Sequence, residues 1–377
     1  MKRVVLCLLF LLLSLSLFSA ELLYYVNTDS DGDGDGTTNA TTGANCAFDN
    51  LFDFEALNLQ LATSGDYAKV LCSAPSGTAD TTGTTFAGWT TAETEYILIA
   101  ALSGQEALKT AWDATRYRLE VTDVNCLTIS EDYVRVENLQ IRAAYAAAGG
   151  KYAINIVTIA APSDIRVTGC RLDGDSKQQY GGIVSADADT TLLVANNIIE
   201  NFLNNGVRID NGTNLIYNNI LYNLGGYGIR DGGGTLAIKN NSIWTTGNDI
   251  RGNGTCTVQY NAADDDLDTE FTETTNIIPT NWANEFAPSN FTLLSGGDCE
   301  GAGVGPGTDA NVPTPDIDGT TRSGATCDIG ADEYEAAGGS IVPIVATTSR
   351  RRLMTSGMIW FILSILAYGV IRLFNKI

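Results

Sequence analysis

The fold is decided by three segments that align with one another without gaps. They are Leu192–Asn201 (LLVANNIIEN), Asn214–Asn223 (NLIYNNILYN) and Leu236–Thr245 (LAIKNNSIWT), and their Asn-Asn pairs recur every 22 residues. A turn that ends in threonine precedes each segment, and apolar residues alternate with polar ones as in half-buried strands. A self-similar period of this length indicates a solenoid.

The repeat extends in both directions from these segments. Ile165–Asp173 (IRVTGCRLD) and Val134–Arg142 (VRVENLQIR) carry the same alternation, and a weaker copy follows Thr255. One column of the alignment contains Val136, Val167, Val194, Ile216, Ile238 and Val258, at steps of 31, 27, 22, 22 and 20 residues. The variable steps predict loops that leave one corner of an otherwise regular stack.

Such short units require stacking, because a single coil of about 22 residues cannot bury its apolar face alone. Stacked in register, the coils pair every strand above and below, and the valines, isoleucines and leucines form one core. Asparagines repeated at one turn predict a ladder of side-chain amides along the stack. We therefore predict an all-β parallel β-helix. Helical repeats need longer helices than residues 96–261 contain, and a propeller repeat is about twice as long.

Several phrases in the chain are similar to those of a known family. They are Tyr24–Asn27, Phe52–Ser64, Gly88–Thr91, Tyr117–Leu119, Ile129–Val136 and Asp328–Tyr334, the last with an acidic residue inserted before Glu333. On these phrases the chain resembles bacterial and phage-associated right-handed parallel β-helix proteins of the pectin-lyase-like class, over most of Tyr24–Tyr334. The resemblance implies a right-handed coil, an opening strand, an amphipathic capping helix at Phe52–Ser64 and an Asp-Ile-Gly-Ala-x-Glu-like closing motif. It implies no activity, because this fold hosts lyases, hydrolases, epimerases, adhesins and tail fibres.

Both ends of the sequence predict export to a membrane surface. Lys2 and Arg3, a leucine-rich run and a small-residue end at Ala20 are typical of a secretory signal peptide. Leu353–Ile371 is a run of 19 residues without a charge, close to the span of a bilayer core of roughly 30 Å. We predict a signal peptide (1–20), an N-terminal strand, acidic turn, capping helix and first coil (21–95), the β-helix (96–300), a closing segment (301–335), a linker (336–352) and a transmembrane helix (353–374).

The charge of the predicted exterior part limits its partners. Two of the 22 basic residues lie in the predicted signal peptide and five lie in residues 350–377, and neither stretch contains an acidic residue. Residues 21–349 therefore have 15 basic and 44 acidic residues, which gives a formal charge of −29. Such a surface repels nucleic acid and anionic membranes, so no nucleic-acid partner is expected. After removal of the signal peptide seven cysteines remain. Export permits their oxidation, and Cys46–Cys72 and Cys299–Cys327 are candidate disulfides near the two ends.

The sequence contains no histidine, which excludes Ser-His-Asp and Cys-His catalysis and histidine-ligated zinc. The Gly-His-Gly and Arg-Ile-Lys phrases of polygalacturonases, which share the resembled fold, are missing too. No catalytic residue is predicted.

An arginine recurs at one point of three successive repeats. Arg208, Arg230 and Arg251 are 22 and 21 residues apart, and Asp210 and Asp231 follow closely. An apolar residue precedes each arginine, so we expect the arginines to point outward in a column. Such a column predicts a groove for an acidic glycan, held by bidentate contacts between guanidinium and carboxylate groups. The alternative is a solvated ladder that its own aspartates neutralise.

Four carboxylates alternate near the N-terminus, at Asp29, Asp31, Asp33 and Asp35. The pattern matches the first half of a calcium loop, although the glutamate expected at its twelfth position is missing. Calcium binding and a solvated acidic turn are both open.

Together these features predict a secreted, membrane-anchored surface β-helix that recognises an extracellular polymer, in the first place a glycan, without identifiable catalysis. One alternative is a polysaccharide lyase or glycoside hydrolase of the same fold. The second is a structural stalk or adhesin spacer. Tyr217, Tyr222, Tyr227 and Trp244 lie on the same repeats, but they form no continuous stripe, so packing is the favoured role for these aromatic side chains.

Overall fold

The computed structural model describes residues 20–144, 150–157, 159–160, 162–176, 181–252, 255–264, 275–279, 281–287 and 290–334. The predicted signal peptide, apart from Ala20, lies outside these residues, as do the linker and the transmembrane helix. Within the described ranges, no helix has the length and apolar composition needed to cross a membrane.

Three parallel sheets run along the molecule, and the chain visits them in turn. The first sheet has nine strands: Glu21–Asn27, Tyr67–Ser73, Ile97–Ala101, Tyr133–Glu137, Asp164–Thr168, Thr191–Ala195, Thr213–Tyr217, Thr235–Lys239 and Thr255–Gln259. The second has seven: Arg118–Thr122, Gln140–Ala144, Arg171–Asp173, Ile198–Glu200, Ile220–Leu224, Ser242–Thr245 and Ala262–Ala263. The third also has seven: Thr84–Phe86, Leu127–Ile129, Tyr152–Ile156, Gly181–Ser185, Asn205–Ile209, Ile229–Asp231 and Ile250–Arg251.

This order confirms the predicted parallel β-helix, because each strand pairs with the equivalent strand of the coils before and after it. The right-handed sense of the coil, the usual sense of parallel crossovers, stays a prediction. Outside the three sheets, Gly303–Val304 pairs antiparallel with Thr326–Cys327, and a short helix spans Trp282–Glu285.

The predicted apolar column is an inward-facing column of the first sheet. Val167 pairs with Val136 and with Val194, and the register continues through Ile216 and Ile238 to Val258. Every member is fully buried. The column also extends two coils upstream, to Ile99 and Val70. The alternation that defines the repeat is therefore the alternation between the core and the outer surface.

The turn from the first to the second sheet, here called the asparagine corner, carries the Asn-Asn pairs. The first asparagine of each pair, at positions 196, 218 and 240, has a left-handed backbone with φ of 57°, 54° and 59°. Asparagine tolerates this conformation better than most residues. The second asparagine points inward, and the Oδ1 atoms of Asn219, Asn241 and Asn261 each accept hydrogen bonds from the asparagine one coil earlier. The predicted ladder is confirmed.

The first asparagine of each pair points outward and contacts the C-terminal segment, residues 301–334. The Nδ2 of Asn240 donates to the carbonyl oxygen of Val304 at 2.8 Å, and its Oδ1 accepts from the Val304 N–H at 2.9 Å. The Oδ1 of Asn196 accepts from Arg322 at 2.7 Å. The segment therefore packs along the outside of the asparagine corner, and the described part of the predicted closing motif, Asp328–Tyr334, lies in it.

The prediction of one continuous capping helix at Phe52–Ser64 is wrong. Two short helices replace it, at Leu51–Glu55 and Leu61–Ser64. Asn58 between them has a φ of 45°, which a continuous right-handed helix does not allow. The pattern was misleading because Leu51, Phe54 and Leu61 are all buried, as one amphipathic helix would place them.

The disulfide prediction is also wrong, because all seven described cysteines are free. Cys72 points into the core beside Val26 and Ala101, whereas the thiol of Cys46 donates to Asp31 at 3.1 Å. Cys299 and Cys327 belong to two different apolar clusters outside the main core. Burial raises the pKa of the Cys72 thiol, so this cysteine behaves as a core residue.

Candidate functional site

The three arginines lie in register on the outer face of the third sheet. Arg230 pairs with Arg208 on one neighbouring strand and with Arg251 on the other. The residues that precede them, Val207, Ile229 and Ile250, are buried in the core, so the arginines point away from it. Neighbouring strands are about 4.8 Å apart, which brings the three side chains close together.

The three guanidinium groups differ in their contacts. Arg208 makes a bidentate ion pair with Asp210, with 2.9 Å from Nε to Oδ1 and 2.6 Å from Nη2 to Oδ2. The hydrogen bond with Asp210 is the main cause that raises the pKa of Arg208. Arg251 donates to the Tyr227 hydroxyl at 2.7 Å. The guanidinium of Arg230, which lies between them in the ladder, has no hydrogen bond or ion pair with any described residue.

Asp231 does not belong to this outer face. It pairs with the buried Ile209, and its side chain is 1% exposed. Its Oδ1 accepts from the N–H groups of Gly233 and Gly234, at 2.8 and 2.9 Å, and its Oδ2 accepts from the Cys256 thiol at 3.0 Å. Asp231 thus stabilises the turn after its strand. Strand alternation accounts for this, since the neighbour of an outward arginine faces inward.

Towards the N-terminus the same column continues with uncharged residues. They are Val184, Asn155 and Thr128, each in register with its neighbour. The positive part of the third sheet is therefore confined to the three coils of Arg208, Arg230 and Arg251.

The four carboxylates of the acidic turn have separate surroundings. Asp29 accepts from the backbone N–H of Ser76 at 2.7 Å. Asp35 accepts from the Thr37 hydroxyl at 2.6 Å, and the hydrogen bonds from Thr37 lower its pKa. Asp31 accepts from the Cys46 thiol, and Asp33 follows it in the exposed turn. Among the described residues no group of three or more acidic or cysteine side chains has a metal-binding arrangement. Calcium at this turn stays a prediction.

An ion-pair network on the outer face of the second sheet was missed from the sequence. Asp173 and Glu200 pair on adjacent strands, and Arg142 and Arg171 neutralise them, each at 2.6 Å. Burial raises the pKa of Glu200, and Arg171 opposes this effect. Two carboxylates in one column are also a typical glycosidase arrangement, but both are mostly buried and paired with arginine. The network accordingly stabilises the stack. Its sequence signal was the run of charged residues at the outward positions of consecutive second-sheet strands.

The aromatic residues of these coils mostly pack against the protein itself. Tyr222 and Trp244 lie 4.6 and 5.3 Å from the ring of Trp282. Tyr217 is buried, and its hydroxyl donates to Asp309 at 3.2 Å. Only Tyr227, among the four aromatic residues singled out in the sequence, lies beside the arginine column, with its ring centroid 5.3 Å from the Arg251 guanidinium.

No family model and no curated protein matches the chain. Among solved structures it is similar to the crystal structure of pectate lyase Pel9A, with 13% sequence identity and a TM-score of 0.37. The match covers 85% of this chain and 98% of that one.

Proposed function

We propose that the protein binds an anionic extracellular polymer, a glycan that carries carboxylates, at the arginine column. The observation that supports this is Arg230, which lies between two other arginines and has no anionic partner among the described residues. Like charges opposite one another on adjacent strands repel. An anion between them removes that repulsion. The chain has twice as many acidic as basic residues, so a cluster of three arginines stands out as a local site for an anion.

The chemistry of the column favours carboxylates. A guanidinium is a planar fork that binds a carboxylate through two parallel hydrogen bonds. Arg208 already makes this contact with Asp210, so the same geometry is available to a ligand at Arg230. Tyr227 adds an aromatic ring next to Arg251, and such a ring can pack against the apolar face of a sugar.

Binding of purified protein to polygalacturonate, alginate and hyaluronan, with dextran as the neutral comparison, tests the proposal. We expect Arg230→Ala to weaken binding of an acidic polymer about tenfold, since a hydrogen-bonded charge pair contributes about 1.5 kcal/mol or more. Rising salt weakens binding as well. Arg230→Lys restores it in part, because lysine keeps the charge and loses the fork. Arg116→Ala, which removes an arginine from a loop of the first coils, is the matched control.

Two results would contradict the proposal. The first is equal binding by the wild type and by the triple variant Arg208→Ala, Arg230→Ala, Arg251→Ala. It would mean that the arginines are a solvated ladder that binds no polymer. If no polymer binds, the stalk or spacer alternative is favoured. New reducing or unsaturated ends in the same incubations would favour the lyase or hydrolase alternative. No observation on the arginine face favours that alternative now, since Asp210 is bound to Arg208 and Asp231 is buried.

We also propose that the β-helix is displayed on the outer face of a membrane, exported by residues 1–20 and held by the helix at 353–374. The support comes from the sequence alone. Arg350, Arg351 and Arg352 precede the apolar run and only Arg372 and Lys376 follow it, against the usual preference for basic residues inside. Translocation of a domain of this size is expected to outweigh these few charges. Protease added to intact cells should digest the body and leave a short membrane fragment, whereas a protected body would refute the orientation.

A further inference from the structure

A cavity of about 300 Å³ lies on the outer face of the first sheet, on different strands from the arginine column. The C-terminal segment closes one side of it through Ala310 and Asn311, and the sheet supplies the rest. Its lining includes Asp164, Arg166, Thr191, Leu193 and Leu215. None of these residues belongs to the proposed polymer site.

The lining combines an aliphatic floor with a polar rim of balanced charge. Leu193 and Leu215 are in register on adjacent strands and are only partly buried. Arg166 holds Asp164 through Nε, at 2.8 Å from Oδ1, and through Nη2, at 2.8 Å from Oδ2. Its side chain is still 43% exposed. The Thr191 side chain is exposed and makes no hydrogen bond within the described part of the chain.

The wall from the C-terminal segment is fixed in place. Asp309 accepts from Lys239 at 2.8 Å and from the Tyr217 hydroxyl at 3.2 Å. Its other oxygen accepts from the Asn311 N–H at 3.0 Å, and Val312 is buried in the cluster beneath. The cavity is therefore formed before any ligand arrives, which reduces the entropy lost on binding.

We propose that this cavity binds a neutral pyranose, either a single sugar or the end of a chain. The paired Arg166 and Asp164 offer hydrogen-bond donors and acceptors side by side, as neighbouring sugar hydroxyls require. Leu193 and Leu215 suit the apolar C–H face of the ring, and the volume lies at the lower end of the range for small-ligand sites. Asp164 also accepts from Arg135 at 3.4 Å, and Glu137 lies near both arginines, so two acidic side chains face two basic ones beside the cavity. Because these charges balance and the chain is strongly acidic, an anionic sugar gains no net attraction here. This site is independent of the proposed polymer site.

Saturation-transfer NMR on the full-length protein tests the proposal, with glucose, galactose, mannose and N-acetylglucosamine as probes and glucuronate as the anionic comparison. We expect at least one neutral sugar to bind. Thr191→Val, which removes a rim hydroxyl, and Leu215→Trp, which fills the floor, should each weaken that binding at least fivefold. Thr235→Val is the matched control, because it changes the same column two coils away and should leave binding unchanged.

Each contrary result is distinct. Absence of binding by all four neutral sugars, or preferred binding of glucuronate, overturns the proposal. Equal binding by wild type, Thr191→Val and Leu215→Trp overturns it as well, with thermal melts showing that the variants are folded. Arg230→Ala should keep its sugar binding. Loss of sugar binding in that variant would place the sugar at the arginine column and refute the cavity site.

Discussion

The Oδ1 atom of Asn219 accepts two hydrogen bonds from Asn197, one from its backbone N–H and one from its Nδ2, both at 3.0 Å. The same double contact joins Asn219 to Asn241 one coil later, at 3.0 and 2.9 Å. The side chain of Asn219 thus accepts hydrogen bonds from the asparagine of the coil before it and donates one to the asparagine of the coil after it. Fully connected buried amides of this kind stabilise a single register of stacking.

Asn219→Ala should therefore destabilise the protein by about 2–4 kcal/mol. The substitution leaves the buried N–H of Asn197 without an acceptor and removes one of the two acceptors of its Nδ2, which keeps the Val167 carbonyl oxygen. Unpaired buried polar groups cost about 1–3 kcal/mol each. Denaturant unfolding followed by circular dichroism measures the change. Asn211→Ala, at an exposed turn, is the control and should cost less than 0.5 kcal/mol. An equal effect of the two substitutions would show that the ladder contributes nothing.

The preceding residue, Asn218, allows backbone and side-chain effects to be separated. Its φ is 54°, and its Nδ2 contacts the carbonyl oxygens of Asp328 and Gly330, both at 3.4 Å. Asn218→Gly removes only the contacts, whereas Asn218→Ala also places a Cβ in a left-handed conformation. We expect Ala to be about 1 kcal/mol less stable than Gly at this position. At Asn211, where φ is not positive, the Gly variant should be no more stable than the Ala variant. If Gly were more stable than Ala by the same amount at both positions, the explanation would be contradicted.

The period of the sequence was sufficient to predict the core. The column from Val136 to Val258 and the inward ladder follow from the repeat, because stacking in register converts a sequence period into a spatial one. The outward position of Arg230 follows from strand alternation in the same way. Alternation also determines that Asp231 is buried, and only closeness in sequence had assigned it to the arginine face.

The remaining features depend on contacts between residues far apart in sequence. The outward role of Asn196 is defined by Arg322, 126 residues later, and the cavity over Leu215 needs Asn311 as its wall. No local pattern specifies which side of the stack a C-terminal segment covers. The cysteines illustrate the same limit, since their spacing does not reveal that Cys299 and Cys327 lie in separate clusters.

Deleting Asn214–Thr235 should leave a folded protein that is one coil shorter, because each coil contacts mainly its neighbours. The deletion brings Asn241 directly after Asn197, so the ladder can re-form. It also moves Asn240 about 4.8 Å closer to Asn196, which disturbs the docking of the C-terminal segment to both. We expect a strand-dominated circular dichroism spectrum, a lower melting temperature and faster tryptic cleavage after Arg322.

The control for this deletion is removal of half a coil, Asn214–Leu224, which shifts every later strand out of register and should unfold the protein. If the two deletions were equally disruptive, coils would not be the independent units of this fold.

Glu131 is a buried carboxyl group that lies beside Trp89 and near Glu55. It is 6% exposed, and its Oε1 accepts from the Trp89 N–H at 2.8 Å. Burial raises its pKa to about 7, and the nearby Asp132 and Glu55 add to the effect. The protonated form is thus favoured in the folded protein relative to the unfolded chain.

A carboxyl whose pKa is higher in the folded state makes the protein less stable as pH rises, because the folded state must lose a proton that it holds more tightly. The contribution of Glu131 is fully present below about pH 4.5 and is lost as pH rises through about 7, and at most it is about 3 kcal/mol. Burial also raises the pKa of Asp332, to about 6, so the comparison runs from pH 6.5 to 8, and the variant Glu131→Gln separates the contribution of Glu131 from those of the other buried carboxyls. We expect the free energy of unfolding to fall over that interval in the wild type and to change less in Glu131→Gln, whose amide oxygen can still accept from Trp89. Glu93→Gln, at an exposed position, is the control and should keep the wild-type dependence of the unfolding free energy on pH. If this dependence were identical in all three proteins, Glu131 would not contribute to it.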